Sequence, residues 1–189
     1  MILNGTEDLR VRKTIGAIKS AFEKLICGKD YENITVRELC EAAQINKKTF
    51  YHYYPSLDDL LAELQTEISS SYINTVRGFK LPEEIEKVNR AFFEFSCSQG
   101  TAFEKITCSS GSYDYIRRQM INRVVAETWE RSESFRGLDG FTREVLLEHV
   151  NSINVNIYRR WIEDGKRVPV EKLIELADKL TVNGIRAVI

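Results

Sequence analysis

Apolar residues recur every three to four positions almost throughout the chain, and no run of four to eight residues alternates strictly enough to demand a strand. The pattern predicts an all-α protein. Ile15, Ile18, Phe22, Leu25 and Ile26 share one face of a first helix predicted from about Glu7 to Cys27, with Gly28 as its stop. Asp30 to Asn33 reads as a loop. Thr35-Val36-Arg37-Glu38 has the spacing of a capping box, so a short helix follows to Ala43. Gln44-Ile45 makes a tight break, Asn46 is placed to cap a helix from Lys47 to Tyr53, and Pro55 prevents that helix from continuing. Ser56-Leu57-Asp58-Asp59 restarts the chain, and a long helix from Leu57 to about Phe79 turns Leu57, Leu60, Leu61, Leu64 and Ile68 inward.

Lys80-Leu81-Pro82 punctuates the pattern, with Pro82 expected early in the next helix and Glu83 and Glu84 at its positive end. Further helices are predicted over Pro82 to Ser98, Thr101 to Cys108, Ser112 to Arg131, Phe141 to Asp164 and Val170 to Val188. Two domains are expected, at residues 9–70 and 80–189, within a chain of 189 residues.

Composition narrows the class. Hydrophobic residues are 43% and charged residues 29%, which excludes collagen-like and disordered chains. No apolar run approaches the roughly 20 residues that span a bilayer, and the first six residues have no leader pattern, so a cytoplasmic protein with no membrane partner is expected. Cys27, Cys40, Cys97 and Cys108 are scattered without a C-x-x-C, and Cys97 and Cys108 are expected to be ordinary buried cysteines. The sequence holds no Gly-rich phosphate cradle, nucleophile elbow or paired histidines, so neither an enzyme nor a cofactor or metal site is expected.

Chemistry concentrates at residues 33–54, where a capped helix, a tight turn and a second short helix have the organisation of a helix-turn-helix. The second helix carries Asn46, Lys47, Lys48, Thr49, Tyr51, His52 and Tyr53, with Phe50 left for the core. Cations and neutral donors of this kind suit phosphates at a groove rim, while donors and acceptors on such a helix read base edges. Residues 1 to 54 hold nine Lys and Arg against seven Asp and Glu, a balance of +2; the remainder holds 18 against 21, or -3. The cationic excess therefore lies with the candidate reader.

The segments Ile34-Thr35-Val36-Arg37-Glu38-Leu39-Cys40-Glu41-Ala42-Ala43 and Ile45-Asn46-Lys47-Lys48-Thr49-Phe50-Tyr51-His52-Tyr53-Tyr54-Pro55-Ser56, with Leu60-Leu61, resemble the DNA-binding domain of TetR-type transcriptional regulators. The resemblance covers about residues 9 to 70. It implies a sequence-specific repressor or activator that binds double-stranded DNA at a palindromic operator as a homodimer. It also implies a helical carboxy-terminal domain that dimerises and takes a small-molecule effector or a protein partner. By the same resemblance Thr35 contacts phosphate, Tyr51 and Tyr53 form an aromatic pair beside the backbone, and Lys47, Thr49 and His52 lie at phosphates or bases; Arg37, one turn into the preceding helix, is a further candidate for DNA contact by its position. Lys48 stands where a small residue is frequent, and Leu57 where a lysine is usual.

In the second region the resemblance implies a four-helix seam between copies, with Ile153, Ile157, Trp161, Leu173, Leu176 and Leu180 as its apolar members. Aromatic residues and the asparagine-rich run from Asn151 to Asn156 supply candidates for an effector pocket: Phe95, Phe103, Tyr113, Trp129, His149, Ser152 and Asn156. The stretch from Tyr158 to Leu180 is also similar to one short-domain TetR subgroup, some of whose members respond to a protein partner.

Overall fold

The computed structural model describes residues 8–108, 122–124 and 127–188, and every regular element among them is helical. The chain divides into two compact units, residues 1–68 and 69–189, and the division falls inside a continuous helix.

In the first unit, α1 (Leu9–Gly28) begins at Asp8, whose carboxylate accepts from the Arg10 amide at 2.9 Å. It buries Ile15, Ile18, Ala21, Phe22 and Ile26, the i, i+3, i+4 stripe of an amphipathic helix. Gly28 is its last residue, and extended backbone at Lys29 ends it. After a 3-10 turn at Tyr31–Asn33 comes α2 (Val36–Ala43), which buries Leu39, Cys40 and Ala43. The next helix is α3 (Lys47–Tyr53), and α4 (Leu57–Val76) follows. Leu60, Leu61 and Leu64 of α4 are buried, while Leu57 and Ile68 are half-buried.

The link between α2 and α3 is a Schellman turn. Gln44 sits in the left-handed region at φ 55°, its N–H reaches the Glu41 carbonyl at 3.3 Å, and the Ile45 N–H reaches the Cys40 carbonyl at 3.0 Å. The sequence places a break here but hides its geometry, because glycine is the usual residue at that position and this chain uses glutamine.

In the second unit the chain turns at residues 81–84, with a cis Leu81–Pro82 bond, and α5 (Ile85–Ser98) starts three residues later than Pro82. Glu84 accounts for the delay: its amide donates to the Lys80 carbonyl at 2.8 Å and its carboxylate accepts from the Lys80 amide at 2.7 Å, which closes a separate turn. Then come α6 (Thr101–Cys108), helical residues at 122–124 and 127–128, a 3-10 turn at Trp129–Arg131, α7 (Glu133–Arg136), α8 (Gly140–Glu163) and α9 (Val170–Val188). Most of the helix predicted over Ser112 to Arg131 lies outside the described residues.

One apolar core joins Leu81, Ile85, Trp129, Phe135, Leu146, Val150, Val182 and Ile185. A second, aromatic one gathers around Tyr158, with Phe92 at 6.2 Å and Phe103 at 6.5 Å between ring centroids, and the Tyr158 hydroxyl donates to the Ser96 carbonyl at 3.0 Å. Between helices runs a buried polar chain. The Asn154 amide of α8 donates to the Asn89 side-chain oxygen of α5 at 2.9 Å, and the Asn89 amide donates to Asp178 and Thr181 of α9, each at 2.8 Å.

Replacing Gln44 by glycine removes the steric cost of the left-handed backbone. The expected result is a stabilisation of about 0.5–1 kcal/mol with an unchanged denaturant slope, measured by urea unfolding.

Candidate nucleic-acid interface

The predicted DNA-facing residues divide into those already engaged in local structure and those left outward. The capping box at α2 forms in full: the Glu38 amide donates to Thr35 Oγ1 at 3.3 Å, while the Glu38 carboxylate accepts from the Thr35 amide at 3.0 Å and from its hydroxyl at 2.8 Å. The Thr35 hydroxyl proton is therefore engaged within the helix start. Asn46 caps α3 through Oδ1, which accepts from the Thr49 amide at 2.8 Å and the Thr49 hydroxyl at 3.0 Å. Arg37 lies on the exposed side of α2 in an i, i+4 pair with Glu41 at 2.9 Å, which raises the pKa of its guanidinium.

Along α3, Phe50 and the following Tyr54 are buried, 0% and 1% exposed, one turn apart. Lys47 and Tyr51 form one outward row and Lys48 and His52 another, all four exposed. Neither lysine forms an ion pair with any described residue. Tyr51 is 54% exposed with its ring edge-on to Phe50 at 5.4 Å. Tyr53 is half-buried, edge-on to His52 at 4.9 Å. Two cations, a phenol and an imidazole thus stand on the solvent side of a helix whose opposite side is core.

Two supporting contacts are not legible in the local sequence. Lys29 Nζ lies 2.6 Å from Glu38 Oε1 and ties the end of α1 to the capping box. The Tyr31 hydroxyl donates to Asp58 in the first turn of α4, and its ring stands edge-on to Phe22 at 6.2 Å. Lys29, followed by Thr35, holds the Glu38 carboxyl at about 2, below its ordinary 4.5.

Among the described residues, those predicted to line an effector pocket lie in different surroundings. Phe95 and Phe103 stack edge-on at 6.3 Å in the aromatic core. Trp129 is 3% exposed in the other core, against Phe135 at 5.6 Å. His149, Ser152 and Asn156 lie exposed along α8, and Tyr113 lies outside the described residues. The asparagine that α8 turns inward is Asn154, 6% exposed, so Asn156 is corrected to a solvent position. An open groove of about 710 Å³ is lined by Thr75, Phe79, Glu86, Arg90, Phe95 and Asp178 among others; of the predicted pocket residues it includes Phe95.

The predicted seam also divides. Leu176 and Leu180 are 45% and 49% exposed one turn apart on α9, whereas Leu173, 4% exposed, packs inside the unit. Ile153, Ile157 and Trp161 are half-buried, and the Trp161 indole N–H donates to the Val168 carbonyl at 2.7 Å within the turn joining α8 to α9. Cys97 is exposed rather than buried, Cys40 is buried, and the Cys108 side chain lies outside the described residues. No helix among the described residues is long and apolar enough to cross a membrane, and no cluster of three His, Cys, Asp or Glu suited to a metal occurs among them.

Residues 18–64 match the family model of bacterial regulatory proteins, tetR family. The fold is similar to the TetR transcriptional regulator of Streptococcus agalactiae 2603V, at 20% identity over 91% of this chain and 95% of that one, with a TM-score of 0.67. It is similar to the fatty acid degradation regulator FadR of Bacillus halodurans, at 15% identity over 92% and 96%, with a TM-score of 0.67. It is also similar to the dihydroxyacetone kinase operon activator DhaS, at 19% identity over 93% and 97%, with a TM-score of 0.55. No curated protein sequence matches the chain. A helix-turn-helix with an outward cationic and aromatic second helix, followed by a separate all-helical unit, defines a DNA-binding transcription regulator. Residues 18–64 are a DNA-binding domain of the tetR family type, and the chain as a whole shares the all-helical fold of the TetR-type regulators it resembles.

Because Glu38 has a folded-state pKa below its unfolded value, its contribution to stability is complete above pH 4.5 and is lost as pH falls through about 2. In Glu38→Gln that pH-dependent contribution is absent. The stability gap between the two proteins, followed by circular dichroism during acid titration, should close across this window.

Proposed function

We propose that two copies of the chain pair through α8 and α9 and repress transcription in the cytoplasm from a palindromic operator, each copy placing α3 in a major groove. The observation that carries this reading is the outward double row of Lys47 with Tyr51 and Lys48 with His52, opposite the buried Phe50. In it Lys47 and Lys48 bind phosphates, Tyr51 packs at the backbone, and His52 faces base edges. Arg37 reaches the backbone from α2, while Thr35, Asn46 and Thr49 serve the interface by holding the two helix starts, and Tyr53 supports His52.

Pairing is supported by apolar side chains left in water by one copy: Leu176 and Leu180 on α9, and Phe141 and Val145, 77% and 50% exposed, at the start of α8. Two-fold symmetry then requires an operator whose half-sites repeat with the spacing of the two α3 helices. Regulation comes from an effector or protein partner bound by residues 69–189 with unequal affinity for the DNA-competent and DNA-incompetent states. A coupling of about 1–3 kcal/mol changes operator affinity about 5- to 150-fold. Since an activator is among the similar folds, a promoter–reporter assay decides the sign of regulation.

Lys47→Ala and Lys48→Ala should each weaken binding across sequences and reduce the salt slope of log affinity by about 0.9 for each phosphate no longer neutralised. Tyr51→Ala should cost at least as much affinity. Anisotropy titrations over a salt series on a duplex selected from random DNA check all three, and unchanged curves from folded variants would remove α3 from the interface.

Leu176→Glu with Leu180→Glu should convert the protein to monomers in sedimentation velocity and abolish high-affinity operator binding while leaving helicity intact. A wild-type sedimentation coefficient for this variant would place the pairing surface elsewhere.

A further inference from the structure

The carboxy end of α3 is anchored by polar groups that have no place among the outward DNA-facing residues. Tyr54 follows α3 directly, caps it through an N–H bond to the Phe50 carbonyl at 2.9 Å, and is 1% exposed. Its hydroxyl donates to Glu63 Oε1 of α4 at 3.2 Å. Lys19 of α1 places Nζ 2.8 Å from that same oxygen and 2.5 Å from Glu67 Oε1. The side chains of Lys19 and Glu63 are 14% and 5% exposed. Three segments of the first unit, α1, α4 and the end of α3, therefore meet at one carboxylate.

A buried ion pair is a poor device for stability, because the cost of desolvating both charges offsets their attraction and apolar replacements of similar volume often do as well. What the ion pair adds is direction. Phe50 already supplies the apolar anchor one turn earlier, and a ring packed against hydrocarbon alone tolerates sliding and rotation. A phenol bonded to a carboxylate that is itself held by an ammonium has one position, and the last turn of α3 shares it. Burial, with the Glu67 charge second, pushes the Tyr54 phenol to about 12, so it stays a donor under all ordinary conditions.

We propose that Lys19, Glu63 and Tyr54 form a positioning device that sets the angle of α3 for base readout, with none of the three touching DNA. The proposal rests on α3 being the DNA reader. It predicts that discrimination between sequences depends on these groups while phosphate binding does not.

The test uses the full chain, a duplex recovered with the wild-type protein from random-sequence DNA, and a scrambled duplex of equal length. Two variants are compared: Tyr54→Phe, which keeps the ring, and the pair Lys19→Met with Glu63→Leu, which replaces the charges with hydrocarbon. In both, the affinity ratio between selected and scrambled duplex should fall about tenfold, with the salt slope unchanged. The apolar pair should retain or exceed the wild-type Tm and still lose discrimination. In the DNA-free protein, amide exchange at Tyr51 to Tyr54 should quicken in Tyr54→Phe while the amides of α1 keep their wild-type rates. Wild-type discrimination in both variants would overturn the proposal, as would a loss that follows Tm with every amide of the first unit exchanging faster. If the wild-type protein enriches no duplex, the assignment of α3 as reader fails, and uniform exchange would separately refute the anchor.

Discussion

A helix of seven residues has too few backbone hydrogen bonds to persist alone in water, so α3 exists because of what it is attached to. Its inward side is Phe50 and then Tyr54, and burying those two rings supplies what the short backbone ladder lacks. In consequence the outward side is confined to four positions. Lys47, Lys48, Tyr51 and His52 occupy them, and the outward polar chemistry of α3 is compressed into two rows one turn long.

Local polar bonds sharpen that division. Thr35, Asn46 and Thr49 carry groups suited to phosphates or bases, yet each is engaged at a helix start. A cap bond removes a side-chain acceptor from the pool open to DNA and in return fixes where the next residues point. The two lysines and the phenol of Tyr51, which take no part in the caps, retain their donors. Under the proposed function, contact with DNA and construction of the reader are divided between neighbouring residues, so that a substitution at either kind would weaken binding for a different reason.

How much of this is legible in the sequence varies with the range of the interaction. The capping box at Thr35 and Glu38, the Asn46 cap and the outward row of α3 follow from neighbours within four residues, and the sequence shows them directly. Gln44 shows the first failure, since a left-handed residue is announced by glycine and this turn uses another. Lys29 with Glu38 and Tyr31 with Asp58 are tertiary partners that no local spacing records. The second unit is less readable still. The run from Asn151 to Asn156 announces that some asparagine needs a partner, but the choice of Asn154 over Asn156 depends on Asn89, 65 residues earlier. Aromatic residues grouped by type as a pocket separate into two packed cores, because residue type carries no information on which face of a helix meets which neighbour.

The bonds joining Asn89, Asn154, Asp178 and Thr181 set the mechanical character of the second unit. Hydrocarbon packing carries no directional bonds, so it tolerates alternative arrangements of similar volume. An amide that donates to two oxygens on one helix and accepts from another has no equivalent neighbour, so α5, α8 and α9 share a single register. Displacing any one of them breaks at least one of these bonds and strands a polar group inside the unit. The polar chain thus adds direction to a unit otherwise held by hydrocarbon and aromatic packing.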